Sequence, residues 1–226
     1  MTDNVTKIPR RQKCVDKQHP YIGGAKDVID DDLQLTQAQI NAIVLGGAVD
    51  VSLAASPATV FVGTEIAIAL TATSSTPADT ITIKKGDTTL ATGSGTTLSG
   101  SDSLTPVEGN NGYTAQFVIG GLTKNTSKNV VGVYPIRIGT GAAYVEGTAL
   151  TTPKTSPAGT YNVAVANNGD YVYFNVPSTM TIHSATMSGF DFPLESPVTV
   201  TIGGVEYKSY RSSNTYDAGT ITVVLT

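Results

Sequence analysis

The amino-acid sequence predicts an all-β protein in which an N-terminal arm and one short helix precede two antiparallel β-sandwich modules. From residue 48 onward, apolar and polar residues alternate with the period of a β-strand. Turns rich in glycine, proline and asparagine separate these stretches at intervals of about 8–12 residues, which is typical of sandwiches. With 40 % apolar residues, the 226-residue chain can bury a sizeable core, so the sequence excludes a wholly disordered protein.

The N-terminal arm differs from the rest of the chain in charge. Residues 1–26 carry six basic and two acidic side chains, a net charge of +4, whereas the other 200 residues have a net charge of −8. The arm lacks any motif that reads DNA or RNA, so we expect no nucleic-acid partner. We expect it either to lie on a protein surface or to form a solvated terminus.

Residues 37–45 are predicted to form the short helix. Thr36 and Gln39 form a capping box at its start, and Gly46 follows as a stop signal. The helix has an apolar stripe that consists of Ile40, Ile43 and Val44. A helix this short needs tertiary contacts, so the stripe must pack against the domain that follows, against a second copy or against another protein.

Residues 48–138 are predicted to form the first module, an immunoglobulin-like (Ig-like) sandwich. The alternation of apolar residues is clearest in three runs, Ile66–Leu70, Ile81–Ile83 and Tyr113–Ile119. The segment Thr76–Asp79 predicts a turn between the first two runs. A span of about 90 residues is the usual size of one such domain.

The second module follows a linker predicted at residues 139–158 and occupies residues 159–226. Alternation in Tyr161–Val165 and Tyr171–Val176, with a turn at Asn167–Asp170 between them, predicts a hairpin. Further strands are expected at four places, 179–186, 197–202, 205–211 and 219–226. A domain this small has at least one sheet edge to protect, and oligomerisation is a common solution.

Two tyrosines in this module are candidate interface residues. In the predicted strand at 171–176, Val172, Phe174 and Val176 point to one side. Tyr171 and Tyr173 point to the other side. Three interpretations stay open: both faces are buried between sheets or beneath a loop, the tyrosines form a subunit interface, or they form a platform for a ligand such as a sugar.

The sequence gives little support for catalysis or for a cofactor. It has two histidines, His19 and His183, and we expect His183 to face outward because Met180 and Ile182 indicate a buried opposite face. Cys14 is interpreted as a plain thiol, and Asp30–Asp32 as an acidic lead-in to the helix. We therefore predict a protein that is not an enzyme, with no catalytic, cofactor-binding or metal-binding residues. The sequence also shows neither an export signal nor a membrane-spanning segment.

Two parts of the chain resemble known families. Residues 48–72 contain Pro57, the Val60-x-Val62-Gly63 step and the alternating run Ile66–Ala72, and they resemble bacterial Ig-like (BIG-type) modules. The C-terminal part looks like the C-terminal domain of virion surface proteins of gut Bacteroidales phages, including crAss-like phages. Three stretches carry this second resemblance, and we call them the motif stretches: Pro157–Tyr171, Ser188–Leu194 and Tyr210–Thr220.

The resemblance implies a structural protein of the phage particle, a head fibre or a capsid decoration protein, that assembles in the host cytoplasm. Residues 1–47 would anchor the chain to capsid or other virion proteins while the β modules project outward. The candidate anchoring residues are Arg10, Arg11, Lys13, Ile40, Ile43 and Val44. We expect a homotrimer in which Tyr171 and Tyr173 meet neighbouring copies. The alternative is a tail-associated fibre or adhesin that binds host-surface or mucin glycans.

Overall fold

A computed structural model of the chain describes residues 49–226 and, before them, one short antiparallel strand pair. This pair consists of β1 (Ile29–Asp30) and β2 (Leu35–Thr36). The helix predicted at 37–45 lies outside the described residues. The regular elements that the structure describes are all β-strands, and most pairs are antiparallel, so the all-β prediction is confirmed.

Residues 49–226 form fifteen further strands. In chain order they are β3 (Val51–Ser56), β4 (Thr59–Phe61), β5 (Ile66–Lys85), β6 (Thr88–Leu104), β7 (Gly109–Ile119), β8 (Leu122–Val133), β9 (Arg137–Gly141), β10 (Thr148–Ala149), β11 (Gly159–Val165), β12 (Tyr171–Pro177), β13 (Ala185–Met187), β14 (Phe190–Asp191), β15 (Val198–Ile202), β16 (Val205–Arg211) and β17 (Gly219–Leu225).

These strands form three sheets. A six-stranded sheet has the order β3-β5-β7-β8-β4, with β6 paired to β5. A five-stranded sheet has the order β10-β9-β12-β16-β15, and a four-stranded sheet has the order β11-β17-β13-β14. The chain divides into two compact units, each built from separate stretches of sequence. Unit 1 contains residues 69–102 and 112–128 with the described part of residues 1–55, and unit 2 contains residues 56–68, 103–111 and 129–226.

The long strand β5 changes the face that it buries. Its buried side chains fall on even positions from Ile68 to Ser74, but Ile81 and Ile83 further along are buried on odd positions. Ala78 is still buried on the even side, so the change of face occurs between Ala78 and Ile81. The preceding segment Thr76–Asp79, where the sequence predicts a turn, lies within a continuous strand. A proline at residue 77, inside this stretch, removes one ladder hydrogen bond and is consistent with a local irregularity.

Unit 1 also contains a polar network around the buried Tyr113. The hydroxyl of Tyr113 donates a hydrogen bond to Oδ2 of Asp102 at 2.8 Å, and Nζ of Lys85 donates to the same oxygen at 2.8 Å. Burial, together with the hydrogen bond and negative charge of Asp102, raises the pKa of Tyr113 above its usual value of 10.0. The tyrosine therefore stays protonated when unperturbed tyrosines ionise.

Unit 2 is a β-sandwich whose core lies between the five-stranded and four-stranded sheets. The fully buried Phe174 and Phe192 lie at its centre, with their ring centroids 6.3 Å apart. The same core includes Val133 and Ile136, and Phe61 packs against it. These three residues belong to the predicted Ig-like module, so the core of unit 2 crosses the predicted boundary at residue 138.

The stretch predicted as a linker is part of the sandwich. Residues 137–141 form β9, which pairs with β12 in the middle of the five-stranded sheet, and β10 pairs with β9. The glycine- and threonine-rich composition of 139–158 suggested a spacer. Several of these glycines instead permit a close approach of backbone segments, as described below.

The predicted hairpin is wrong. β11 pairs along its whole length with β17, whereas β12 pairs with β9 and β16 in the opposite sheet. The turn at Asn167–Asp170 therefore carries the chain across the sandwich from one sheet to the other. Tyr161 and Phe174 meet across the core with their ring centroids 6.3 Å apart. A turn sequence predicts that the chain reverses, but it does not state which sheet receives the next strand.

The later strands of the module agree better with the predictions. β15, β16 and β17 begin and end within one residue of the predicted 197–202, 205–211 and 219–226. Of the strand predicted at 179–186, the structure forms only β13, at Ala185–Met187. His183 lies before β13 and is exposed, while Met180 and Ile182 are buried, which confirms its predicted outward direction.

Candidate functional site

The outer face of the five-stranded sheet carries the two tyrosines that the sequence singled out. Residues 142–147 fold back over this face, and we call them the strap. Tyr173 is only 4 % exposed, and the ring of Tyr144 in the strap meets its ring edge to face at a centroid distance of 5.9 Å. Of the three interpretations, burial beneath a loop therefore holds for Tyr173. Its prediction as an oligomer-interface residue is wrong, because this chain already covers the ring.

Side-chain hydrogen bonds hold the strap on the sheet. Nδ2 of the fully buried Asn175 donates to the carbonyl oxygens of Val145 and Glu146 at 3.0 and 2.9 Å. Nε of Arg137 donates to the carbonyl of Glu146 at 3.3 Å. Oδ1 of Asn175 is buried without a hydrogen-bond partner. The amide therefore donates hydrogen bonds to the strap while its own acceptor stays unsatisfied.

Glycines on β9 create the space in which the strap lies. A Cβ added at Gly139 would lie 2.7 Å from the Cα of Gly147, and one added at Gly141 would lie 2.9 Å from Cγ1 of Val145. Both glycines sit on the same face of the strand because they are two residues apart. Only residues without a side chain allow the strap to contact the sheet backbone here.

Tyr171 takes part in a separate surface cluster. The guanidinium of Arg211 lies over its ring at 4.4 Å, and Nε and Nη2 of Arg211 donate to the two carboxylate oxygens of Glu195 at 2.9 and 2.5 Å. The hydrogen bonds that Arg211 donates to Glu195 are the main cause that raises the pKa of Arg211 above its usual value. Tyr171 is half-buried by this contact, and its predicted role in an oligomer interface stays a prediction.

Parts of the three motif stretches contact one another. The rings of Phe192 and Tyr216 stack with a centroid distance of 5.1 Å and an interplanar angle of 9°. Burial raises the pKa of Tyr216 above 10.0. Oδ1 of Asn168 accepts a hydrogen bond from the backbone N–H of Ala218 at 2.8 Å. The first and the second motif stretch thus each contact the third, Tyr210–Thr220.

Ser212 links these stretches to the sheet. It is fully buried, its Oγ accepts a hydrogen bond from the backbone N–H of Val172 at 2.9 Å, and its hydroxyl donates to the carbonyl of Asn214 at 2.7 Å. Asp170, also buried, accepts a hydrogen bond from the backbone N–H of Asn167 at 3.1 Å. These polar groups satisfy the backbone of the crossing turn, so their role is structural.

The sheet edges of unit 2 differ in how they are protected. The edge strands β10 and β14 are only two residues long. At the edge of β11, the hydroxyl of Thr140 donates a hydrogen bond to the carbonyl of Ala164 at 3.3 Å. Short edge strands and side-chain plugs are usual protections. Large apolar side chains nevertheless stand exposed at two edges: Phe190 on β14 is 78 % exposed and Val198 on β15 is 65 % exposed.

A cleft opens between β9–β10 and the edge of β11. Its volume is about 460 Å³. Its lining residues are all uncharged and mostly small or apolar: Ile138, Gly139, Thr140, Val145, Gly147, Thr148, Ala149, Leu150, Asn162, Val163 and Ala164. The lining mixes threonine and asparagine side chains with apolar ones, and it contains no charged side chain and no histidine.

The structure locates only some of the residues predicted to carry chemistry or anchoring. Within residues 49–226, no three His, Cys, Asp or Glu side chains are grouped in a way that could hold a metal ion. Over the described stretches, no helix is long and apolar enough to cross a membrane. The anchoring candidates Arg10, Arg11, Lys13, Ile40, Ile43 and Val44 lie outside the described residues, and so do Cys14 and His19.

The sequence reasoning missed the strap, the cleft and the exposed Phe190. The pair Gly139 and Gly141 was the available signal for the strap, because two glycines on one face of a strand indicate a close approach of another backbone. The alternation of Phe190, Phe192 and Leu194 indicated a strand with one apolar face in the core. It did not show that Phe190 lies beyond the core while Phe192 lies inside it. The cleft depends on contacts between distant segments and has no local signal.

Comparisons with known proteins give little on family. No protein-family model matches the chain, and no curated protein matches it. Among solved structures, a match is found to the fibronectin(III)-like modules of Clostridium thermocellum CbhA, with 15 % sequence identity and a TM-score of 0.33. The match covers 76 % of this chain and 92 % of that chain.

Proposed function

We propose that this chain is a structural protein of a bacteriophage particle, a head fibre or capsid decoration protein that self-assembles as a homotrimer and has no enzymatic activity. Residues 1–47 anchor it to capsid or other virion proteins, and the β units project outward. Assembly takes place in the host cytoplasm, where a chain with a single cysteine needs no disulfide bonds.

The observation that carries this proposal is the exposure of large apolar side chains at sheet edges of unit 2. Phe190 and Val198 each expose about two thirds of their surface or more, although the core beside them is closely packed. Exposed apolar side chains at a strand edge are typical of a surface that mates with another protein. The resemblance of the motif stretches to virion surface proteins gives independent support.

The anchoring role is tested by incorporation into particles. The triple variant R10Q/R11Q/K13Q removes three of the basic side chains of the arm, and the variant K17Q/K26Q serves as a matched control. We expect purified particles to lose most of the triple variant and to retain the control. Deletion of residues 1–35 should abolish incorporation. Normal occupancy of the deleted protein in particles would refute the anchoring role.

A second candidate function is glycan binding by a tail-associated fibre or adhesin. The observation that favours it is Tyr144, whose ring is 44 % exposed on the strap and backed by Tyr173. A supported, half-exposed tyrosine ring is suited to stacking on a sugar. A glycan array with the full chain and with Tyr144→Ala tests this function. Binding that is lost in the variant would favour the adhesin over the scaffold.

A further inference from the structure

The strap has the features of a segment that can move as a unit. Its residues, 142–147, form no regular secondary structure, and each of them is exposed or only partly buried. Gly141 precedes the strap at the end of β9, and its last residue, Gly147, has a φ of 71°, in the left-handed region that favours glycine. Glycines at both ends let the backbone rotate there at little steric cost. Segments with few buried contacts belong to the least stable part of a fold.

The contacts that hold the strap closed are of a kind that water can replace. They include the two hydrogen bonds from Nδ2 of Asn175, the one from Nε of Arg137 and the ring contact between Tyr144 and Tyr173. Nη2 of Arg137 lies 3.9 Å from Oε2 of Glu146, whose side chain is 58 % exposed, so this ion pair contributes little. The net contribution of each hydrogen bond is also small, because the groups of an opened strap bond to water instead.

Closure of the strap leaves a buried polar atom without compensation. Asn175 is 0 % exposed, and its Oδ1 has no hydrogen-bond partner. An open strap admits water to this oxygen, whereas a closed strap removes it from water. The cost of desolvating the acceptor opposes the gain from the two hydrogen bonds that the same amide donates. The closed and open positions of the strap are therefore close in free energy.

Asn111 provides the contrast, because it is a buried asparagine of the same unit with all its polar atoms bonded. Its Nδ2 donates hydrogen bonds to the carbonyl oxygens of Val107, Gly109 and Val130 at 3.0, 3.2 and 3.2 Å. Its Oδ1 accepts one from the backbone N–H of Val107 at 3.1 Å. Asn111 is 9 % exposed and belongs to unit 2, as Asn175 does. The two amides thus share one unit but differ in how completely the fold satisfies them.

We propose that the strap is a lid that opens and closes over β12 while the rest of unit 2 stays folded, with the open state populated at about 0.1–10 %. In the closed state, the outer face of the sheet presents Tyr144, backed by Tyr173. In the open state, it presents Tyr173 and the amide of Asn175, and Tyr144 loses its support. The lid therefore changes which ring and which polar groups this face offers. The inference goes beyond the proposed function, since it requires neither a particle nor a second copy of the chain.

The test is hydrogen exchange of the side-chain amides in the full chain, measured by NMR. The Nδ2 protons of Asn175 exchange with water when the strap is open, so their rate relative to a free amide measures the open fraction. We expect exchange to be about 10 to 1,000 times slower than in a free amide. The amide of Asn111 should exchange at least about tenfold more slowly still, because its exchange requires a larger opening of unit 2. Urea below the unfolding midpoint should leave the rate of Asn175 unchanged, because a local opening exposes little surface.

Two variants test whether the strap governs this rate. Tyr144→Ala removes the ring contact, so the amide of Asn175 should exchange about 2 to 10 times faster while that of Asn111 keeps its rate. Phe190→Ala is the matched control, because it removes an exposed ring from the other sheet, and it should change neither rate.

Three results would overturn the lid. The amide of Asn175 exchanges as slowly as that of Asn111, or urea accelerates the two in parallel, which means that the strap opens only when the whole unit unfolds. Alternatively, Tyr144→Ala leaves the rate of Asn175 unchanged or accelerates Asn111 equally, which means that the ring contact does not hold a separate lid.

Discussion

The strap offers the sharpest test of the structural reasoning, through the substitution Gly139→Ala. The new methyl group would lie 2.7 Å from the Cα of Gly147 and 2.7 Å from Cγ2 of Val145. A side chain can rotate away, but the backbone of Gly147 can move only if the strap lifts. We therefore expect the variant to fold with the strap displaced from the sheet.

The size of the effect is limited by what the strap contributes. Displacement loses the two hydrogen bonds from Asn175, at about 1 kcal/mol each, and the Tyr144–Tyr173 ring contact, at about 1 kcal/mol. The free energy of unfolding should fall by about 2–3 kcal/mol. For an m-value of about 2–3 kcal/mol/M, the urea midpoint moves down by about 1 M.

Urea unfolding followed by circular dichroism measures the loss of stability. Limited proteolysis measures whether the strap is displaced. Chymotrypsin should cut after Tyr144 faster in the variant than in the wild type, because a lifted strap is accessible. Gly141→Ala is the graded control: its methyl group would lie 2.9 Å from a side-chain methyl of Val145 and 3.1 Å from the backbone oxygen of Ala143. Because no backbone atom lies as close as at Gly139, we expect a smaller loss, about 1 kcal/mol. A Gly139→Ala protein with wild-type stability and an equally protected strap would show that the close approach is not real.

Three further predictions concern single side chains. Ser212→Ala leaves a buried backbone N–H without its acceptor and should destabilise the protein by about 1–3 kcal/mol in urea unfolding, whereas the exposed Ser213→Ala should change stability by less than about 0.5 kcal/mol. Because the pKa of Tyr113 is raised in the folded state, its contribution to stability is fully present below about pH 10. Above about pH 10 the unfolded chain releases a proton that the folded chain keeps, so the free energy of unfolding falls by up to about 1.4 kcal/mol per pH unit. Tyr113→Phe should flatten this decline in unfolding curves measured at alkaline pH. Glu195→Gln weakens an exposed ion pair, so we expect a small loss of stability in urea unfolding that disappears in high salt. A loss that salt does not reduce would contradict the exposed geometry.

Local periodicity predicted the strands well, because burial of one face imposes a period of two. The run from Tyr113 to Ile119 is buried at every second position as expected, and β15, β16 and β17 match their predicted ranges. These features depend on neighbours in sequence, which the pattern records directly.

Features set by contacts between distant segments could not be predicted in this way. The crossing at Asn167–Asp170 resembles a hairpin turn in sequence, and only the pairing of β11 with β17 shows otherwise. Tyr173 alternates with core residues exactly as an exposed side chain does, but the strap covers it. The boundary predicted at residue 138 followed a change in composition, whereas the core of unit 2 recruits Phe61 and Val133 from before it.

The discontinuity of unit 2 has a consequence for how the protein folds. Residues 56–68 and 103–111 belong to unit 2, and Phe61 packs against a core whose members extend to Leu225, so contacts that span well over a hundred residues must form before that core closes. Such long loops cost chain entropy before any burial compensates for it, and topologies of this kind fold slowly. During that interval the early segments expose apolar strands, so we expect the yield of refolded protein to fall as the protein concentration during refolding rises.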